Sequence, residues 1–129
     1  MDHSPRFVAL VDRARQRVAE VPPDAVRDRL ADAAGDDFTL IDVREPDEYA
    51  AGHLPGAVSM PRGVLERDIE TAVPDLDAPL VLYCGGGYRS ALAAASLGDM
   101  GYTDVTSMDG GWRAWTEADF PTEPSDLDA

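Results

Sequence analysis

Apolar positions fall at helical spacing in some stretches of the chain and as short unbroken runs between them. Phe7, Leu10, Val11 and Ala14 share one helix face, and Ser4-Pro5 is a start signal before them. Val18 to Val21 reads as a short strand. Pro22-Pro23 opens a second helix with Val26, Leu30 and Ala33 on its apolar side and Gly35 as its stop. Phe38 to Val43, FTLIDV, is an apolar run of strand length. Pro46 starts a short helix that ends at Gly52, and a loop with a brief strand around Val58 follows. Leu65, Ile69 and Val73 mark a helix over Arg62 to Val73. PLVLYC, ending at Cys84, is another buried strand. Ser90 to Met100 is a helix closed by Gly101, and DVTSM is a last strand. Gly110-Gly111 turns into a helix that carries Trp112 and Trp115.

Strands alternating with helices predict an α/β fold with a parallel sheet covered on both faces. The expected division is a helical extension over residues 1–16, a domain over 17–118 and an acidic, mobile tail over 119–129, clearest from Pro121 onward. No internal repeat and no second domain is visible. In open α/β sheets, sites form beyond the carboxyl ends of strands. Two such ends carry polar chemistry: Asp42-Val43-Arg44 after the FTLI run, and Cys84 after LVLY.

The chain has 129 residues, of which 44% are hydrophobic, enough for one globular core. No apolar run approaches the ~18 residues of a membrane span. The N-terminus lacks the basic start and apolar stretch of a signal peptide. All 11 basic residues are arginine, against 25 acidic residues that are mostly aspartate, for a net charge of −14. Nucleic acid and anionic membranes are therefore excluded as natural partners. The lysine-free, Asp-rich composition suits a salty cytoplasm, and a GC-rich genome would also favour Arg over Lys. The lone cysteine, Cys84, can make no internal disulfide, and zinc-type Cys spacing is absent. A cytoplasmic location is expected, with no metal and no organic cofactor.

Cys84 precedes Gly85, Gly86, Gly87, Tyr88, Arg89 and a helix. Three consecutive glycines are unfavourable to order, so the position needs something that only glycine supplies. Residues without side chains let successive backbone N–H groups of Gly85 to Arg89 turn inward as an anion-binding nest. The helix N-terminus adds partial positive charge. The Cys84 sulfur stands where that anion would be. Burial as a small core residue is the alternative for any lone cysteine, but packing alone does not call for three glycines and an arginine after it.

CGGGYRS resembles the active-site loop of the rhodanese family of sulfurtransferases. The resemblance extends over LIDVREPDEYAAGHLPGAVSMP and GYTDVTSMDGGWRAW, roughly Val18 to Glu117. It implies an α/β domain with a five-stranded parallel sheet flanked by helices on both faces. It also implies a nucleophilic cysteine, here Cys84, that takes sulfane sulfur from a donor such as thiosulfate, mercaptopyruvate or a persulfide. The sulfur would pass to a thiol or cyanide, and a protein acceptor is compatible with this. Gly85 to Arg89 would hold the persulfide. Related phosphatases and some arsenate reductases use C-x5-R, whereas Cys84 to Arg89 is C-x4-R; the tighter ring suits one terminal sulfur better than a tetrahedral oxyanion. Two alternatives stay open: a phosphatase or arsenate reductase on the same fold, and a low-turnover sulfur-carrier or regulatory binding module.

Asp42 and Arg44 are expected to form a supporting ion-pair network. His53, in a GHLPGA turn, reads as structural, His3 as part of a mobile terminus, and Trp112 and Trp115 as packing residues. Tyr88 is expected at the pocket mouth. Arg62 is a candidate second positive charge for the site.

Overall fold

The computed structural model describes residues 3–32 and 37–123. Its elements, in chain order, are α1 (Pro5–Arg15), β1 (Ala19–Val21), α2 (Pro23–Ala31), β2 (Thr39–Asp42), α3 (Pro46–Ala51), β3 (Val58–Ser59), α4 (Leu65–Ala72), β4 (Leu80–Tyr83), α5 (Tyr88–Asp99), β5 (Val105–Met108) and α6 (Gly111–Glu117). The five strands form one sheet in the order β1-β5-β4-β2-β3, and every pairing is parallel.

β4 lies in the middle and is buried along its whole length, which is why its sequence is an apolar run rather than an alternation. Its side chains nevertheless alternate between the two faces. Leu80, Leu82 and Cys84 pack with Ile41, Leu65, Ile69, Ala93 and Leu97, beneath α4 and α5. Val81 and Tyr83 pack with Val26, Leu40, Met108 and Trp115, beneath α2 and α6. Strand periodicity thus decides the side on which Cys84 emerges. It follows Leu80 and Leu82 onto the α5 face, under the N-terminus of α5.

Two helix starts differ from the sequence reading. α4 begins at Leu65 rather than Arg62, because Arg62 to Val64 form a turn after Pro61. α5 begins at Tyr88 rather than Ser90, because Gly87 adopts a left-handed conformation (φ 95°) as its N-cap. Only Gly85 to Gly87 therefore separate β4's Cys84 from the helix, and Tyr88 and Arg89 belong to the first helical turn. Ala33 and Gly35, assigned to the second helix and its stop, lie outside the described residues.

The stretch assigned to the mobile tail is tied down as far as Glu123. The Trp115 indole N–H donates to the Pro121 carbonyl at 2.7 Å. His53 and Glu123 exchange both backbone hydrogen bonds, at 2.9 and 2.8 Å. Residues 124–129 lie outside the described residues. No helix among the described residues is long and apolar enough to cross a membrane.

Candidate active site

Cys84 is buried, with 1% of its surface exposed. Its Sγ accepts hydrogen bonds from the backbone N–H of Gly87 at 3.1 Å and of Ser90 at 3.3 Å. Ser90 Oγ lies 3.5 Å from Sγ and 2.8 Å from Ser107 Oγ. Both serines are fully buried. The sulfur thus sits at the first turn of α5, where donors and the helix dipole favour negative charge.

Of the three loop glycines, Gly87 is the one the backbone requires. Its φ of 95° is unfavourable for any side chain, and an added Cβ would come within 3.2 Å of Gly110 N. Around Gly86 there is open space, and at Gly85 the nearest atom is the far end of the Arg89 side chain. The expected inward ring of N–H groups is present only in part: Gly87 and Ser90 donate to sulfur, while the N–H groups of Gly85 and Gly86 have no acceptor among the described residues.

Those two free donors are aimed by α6, which sequence reasoning did not connect to the loop. The carbonyls of Cys84 and Gly85 accept from Trp112 N at 2.7 Å and Arg113 N at 3.0 Å. In a trans peptide the N–H points opposite to the C=O, so the Gly85 and Gly86 N–H groups face away from α6. The close approach needs Gly111. A Cβ there would stand 2.4 Å from the Cys84 carbonyl oxygen, and its φ is 57°. The DGGW sequence at the start of α6 was the available signal.

A cavity of about 570 Å3 opens over Cys84, Gly85 and Gly86. Tyr88 lines it, as expected. His3 is not loose: its ring centroid is 4.3 Å from that of Tyr88, and Phe7 stacks on Tyr88 at 5.8 Å. Arg15 lies over the same ring at 4.9 Å. α1 therefore builds part of the wall.

Arg89 lines the mouth and pairs with Glu48, Nη1 to Oε1 at 3.3 Å. Glu48 was not singled out from the sequence. It is also the reciprocal member of a capping box with Glu45, accepting the Glu45 N–H at 2.9 Å. Burial pushes its carboxyl up, but the Glu45 N–H and the Arg89 guanidinium outweigh this and hold it below the usual carboxylate range. Arg113 is the second positive group on the wall. Arg62 is not: it pairs with Glu66 at 2.7 Å and reaches Ser96 on the flank of α5.

Asp42 and Arg44 sit at 0% and 3% exposure as a closed network. Arg44 donates to both Asp42 oxygens and to the Gly52 carbonyl, and the Tyr83 hydroxyl donates to Asp42 Oδ2 at 2.6 Å. Burial lowers the Arg44 pKa, yet the hydrogen bonds to Asp42 and its charge outweigh this and raise it above its ordinary value. Burial and the Asp42 carboxylate push the Tyr83 phenol up. Neither residue touches the loop. Arg44 reaches it indirectly, stacking on Trp112 at 4.5 Å. His53 stacks on Tyr49 at 3.9 Å, contacts the Tyr49 carbonyl and is absent from the cavity wall. Trp115 is core, whereas Trp112 lines the cavity.

A model of the Rhodanese-like domain matches residues 22–118. The chain belongs to the rhodanese-like domain family. Over 84 residues it is 40% identical to the thiosulfate sulfurtransferase GlpE of Ectopseudomonas mendocina, covering 65% of this chain and 74% of that protein. It is 35% identical over 114 residues to GlpE of Pseudomonas aeruginosa, covering 88% and 94%. Among solved structures, the polysulfide-sulfur transferase homodimer of Wolinella succinogenes matches with a TM-score of 0.77 at 31% identity, over 94% of this chain and 89% of that one. A Rhodopseudomonas palustris protein of unknown function, described as a possible tyrosine phosphatase, matches with a TM-score of 0.83 at 32% identity, over 95% and 99%. The rhodanese-like family match begins at residue 22, so α1 lies before it although α1 lines the cavity.

Proposed function

We propose that Cys84 is the nucleophile of a sulfurtransferase and passes sulfane sulfur through a persulfide. The observation that carries this reading is a buried sulfur held by two N–H donors, with two more unpaired N–H groups beside it on an open cavity. The Cys84 thiolate attacks the outer sulfur of a donor. A new S–S bond forms, the donor's own S–S bond breaks, and its electron pair leaves with sulfite when the donor is thiosulfate; with mercaptopyruvate a C–S bond breaks instead, and its electron pair leaves on the carbon of pyruvate, which takes up a proton. The N–H groups of Gly85, Gly86 and Gly87 hold the terminal persulfide anion. A thiolate or cyanide then attacks that sulfur and regenerates Cys84, completing a double displacement. Thiosulfate, polysulfide, mercaptopyruvate and persulfides are the candidate donors, and thiols, cyanide or a thiol-bearing protein the acceptors. A working free thiol suits a reducing, cytoplasmic setting.

Phosphate-ester hydrolysis is the second reading, raised by the Rhodopseudomonas palustris relative. It needs an acid to protonate the leaving oxygen. Among the described residues the cavity offers one carboxyl, Glu48, which the Glu45 N–H and then the Arg89 guanidinium hold below the usual carboxylate range, and one histidine, His3, whose ring lies against Tyr88. The C-x4-R spacing and the unpaired Gly85 and Gly86 N–H groups support sulfur transfer over this reading.

Intact-protein mass spectrometry after exposure to thiosulfate, mercaptopyruvate and polysulfide in turn tests the proposal. The wild type is expected to gain one sulfur atom from at least one donor and to lose it to a thiol. Cys84→Ser, with no other thiol in the chain, is expected to stay folded and gain none. Aryl phosphate hydrolysis without sulfur uptake would replace this reading with the phosphatase one, and uptake without turnover would assign a carrier.

A further inference from the structure

Two guanidiniums, Arg89 and Arg113, and one carboxylate, Glu48, line the cavity over Cys84. With histidine counted as neutral and the Cys84 sulfur left out, these side chains carry a net charge of +1. The remaining wall is largely aromatic: Phe7 and Tyr88 stack, and Trp112 closes the α6 side. Building on the sulfurtransferase reading, we infer that Glu48 is a charge selector that fits the site to organic sulfane donors of single negative charge, such as thiosulfonates and organic persulfides, in preference to dianionic thiosulfate.

Charge and shape act together at this wall. A dianion entering beside Arg89 meets a guanidinium already paired at 3.3 Å and its carboxylate partner on the same cavity wall. The repulsion from Glu48 scales with the donor's charge, so it acts twice as strongly, in free energy, on thiosulfate as on a monoanion. A sulfite leaving group makes no use of an aromatic wall, whereas an aryl or alkyl body can lie against Phe7, Tyr88 and Trp112 and remove apolar surface from water. The chemistry at sulfur is unchanged. Cys84 Sγ bonds to the sulfane sulfur, the donor S–S bond breaks, and its electron pair leaves on a sulfinate, or on a thiolate when the donor is a persulfide. Charge balances in each case, with one negative charge on the enzyme persulfide.

Glu48 also caps α3, so its removal must spare that role. Gln at the same position can accept the Glu45 N–H and complete the capping box while carrying no charge. Glu48→Gln is therefore the informative variant. The paired probes are thiosulfate and benzenethiosulfonate, which donate the same sulfur and differ in charge and body. We expect kcat/KM for thiosulfate to rise about tenfold in Glu48→Gln and that for benzenethiosulfonate to change by no more than about threefold, as charge scaling requires. Phe7→Ala is expected to raise KM for benzenethiosulfonate by a larger factor than that for thiosulfate. Equal changes for both donors, a common fall, or no change would overturn the inference, because a purely structural Glu48 cannot separate the two. A binding arm keeps this test apart from the transfer reaction. Calorimetric affinities of both probes for Cys84→Ser, with and without Glu48→Gln, should show the same selective gain for thiosulfate. If neither donor yields a persulfide but the affinities shift as expected, the sulfurtransferase reading fails and the charge selector stands; affinities that do not shift overturn the selector itself.

Discussion

β2 and β4 run side by side in register, Asp42 opposite Tyr83, and their carboxyl ends are finished in opposite ways. At the end of β2, Asp42 accepts from the Arg44 side chain, the Arg44 N–H and the Tyr83 hydroxyl. Arg44 in turn reaches Gly52 and Trp112. This end is buried, charged and closed. At the end of β4, one sulfur receives two N–H donors, two neighbouring N–H groups find no acceptor among the described residues, and a cavity stands open above. Both ends stand where α/β folds place ligands, yet among the described residues only the β4 end has N–H groups left over on an open cavity. Charge alone would have pointed to β2. The informative quantity is hydrogen-bonding capacity left over after folding.

If the closed end is structural, breaking it should reduce stability and leave the chemistry of the folded fraction intact. Asp42→Ala removes one partner of a buried pair and leaves Arg44 uncompensated, which costs about 3–5 kcal/mol. Urea unfolding would show this as a large drop in the midpoint. Replacing Arg44 by Leu in the same chain removes the orphaned charge and should recover part of the loss. Folded Asp42→Ala protein should still gain sulfur at Cys84. A stable Asp42→Ala protein that no longer gains sulfur would reverse the roles of the two ends.

The converse experiment changes the open end. A glycine inserted between Gly87 and Tyr88 makes the spacing C-x5-R and carries the Ser90 N–H and Arg89 away from Sγ. Donors displaced by ~1 Å stabilise developing charge poorly, so sulfur transfer should fall about 100-fold or more. The insertion falls between the N-cap Gly87 and Tyr88 of the first turn of α5, so a melting curve on the same protein is needed to separate lost transfer from lost fold. Hydrolysis of a small aryl phosphate, measured on both proteins, shows whether the widened ring gains oxyanion chemistry. Unchanged sulfur transfer would mean that loop size does not set the reaction.

How much of this was written in the sequence differs between the ends. The strands were legible because Leu80 to Tyr83 is an apolar run and Phe38 to Val43 a largely apolar one, and the CGGGYRS string placed Cys84 and Arg89 in one loop. What was not legible is tertiary. Glu48 reads locally as a helix-start residue, and nothing at i+3 from Glu45 announces that it will meet Arg89, 41 positions away. Arg113 and Gly111 reach the loop because β5 lies beside β4 and delivers α6 to its end. His3 and Phe7 reach it because α1 packs on α5. Arg62 misled for the same reason: it follows β3 at the sheet edge, and its turn sends the side chain to Ser96 on the flank of α5 rather than to its first turn.

The smallest expected effect probes what lies beneath the open end. Ser90 Oγ and Ser107 Oγ are 2.8 Å apart and fully buried, with Ser90 Oγ 3.5 Å from the sulfur. A hydroxyl has one proton and two acceptor sites, so the pair can be oriented in two ways. With a neutral thiol, the S–H points to Ser90 and the Ser90 proton to Ser107. With a thiolate or persulfide, the Ser107 proton points to Ser90 and the Ser90 proton to sulfur. The pair thus follows the charge on Cys84 without water entering. Ser107→Ala removes the outer partner, so Ser90 still donates to the anion but is no longer polarised from behind. Loss of one such cooperative bond is expected to cost about 0.5–1.5 kcal/mol, or roughly a three- to tenfold fall in the rate of Cys84 alkylation and of sulfur transfer alike. Ser90→Ala should cost more than Ser107→Ala, and the double variant no more than Ser90→Ala alone, because Ser107 acts only through Ser90. Wild-type alkylation rates in all three would show that backbone N–H groups alone hold the sulfur, and a double variant slower than Ser90→Ala would show that Ser107 reaches it by another route.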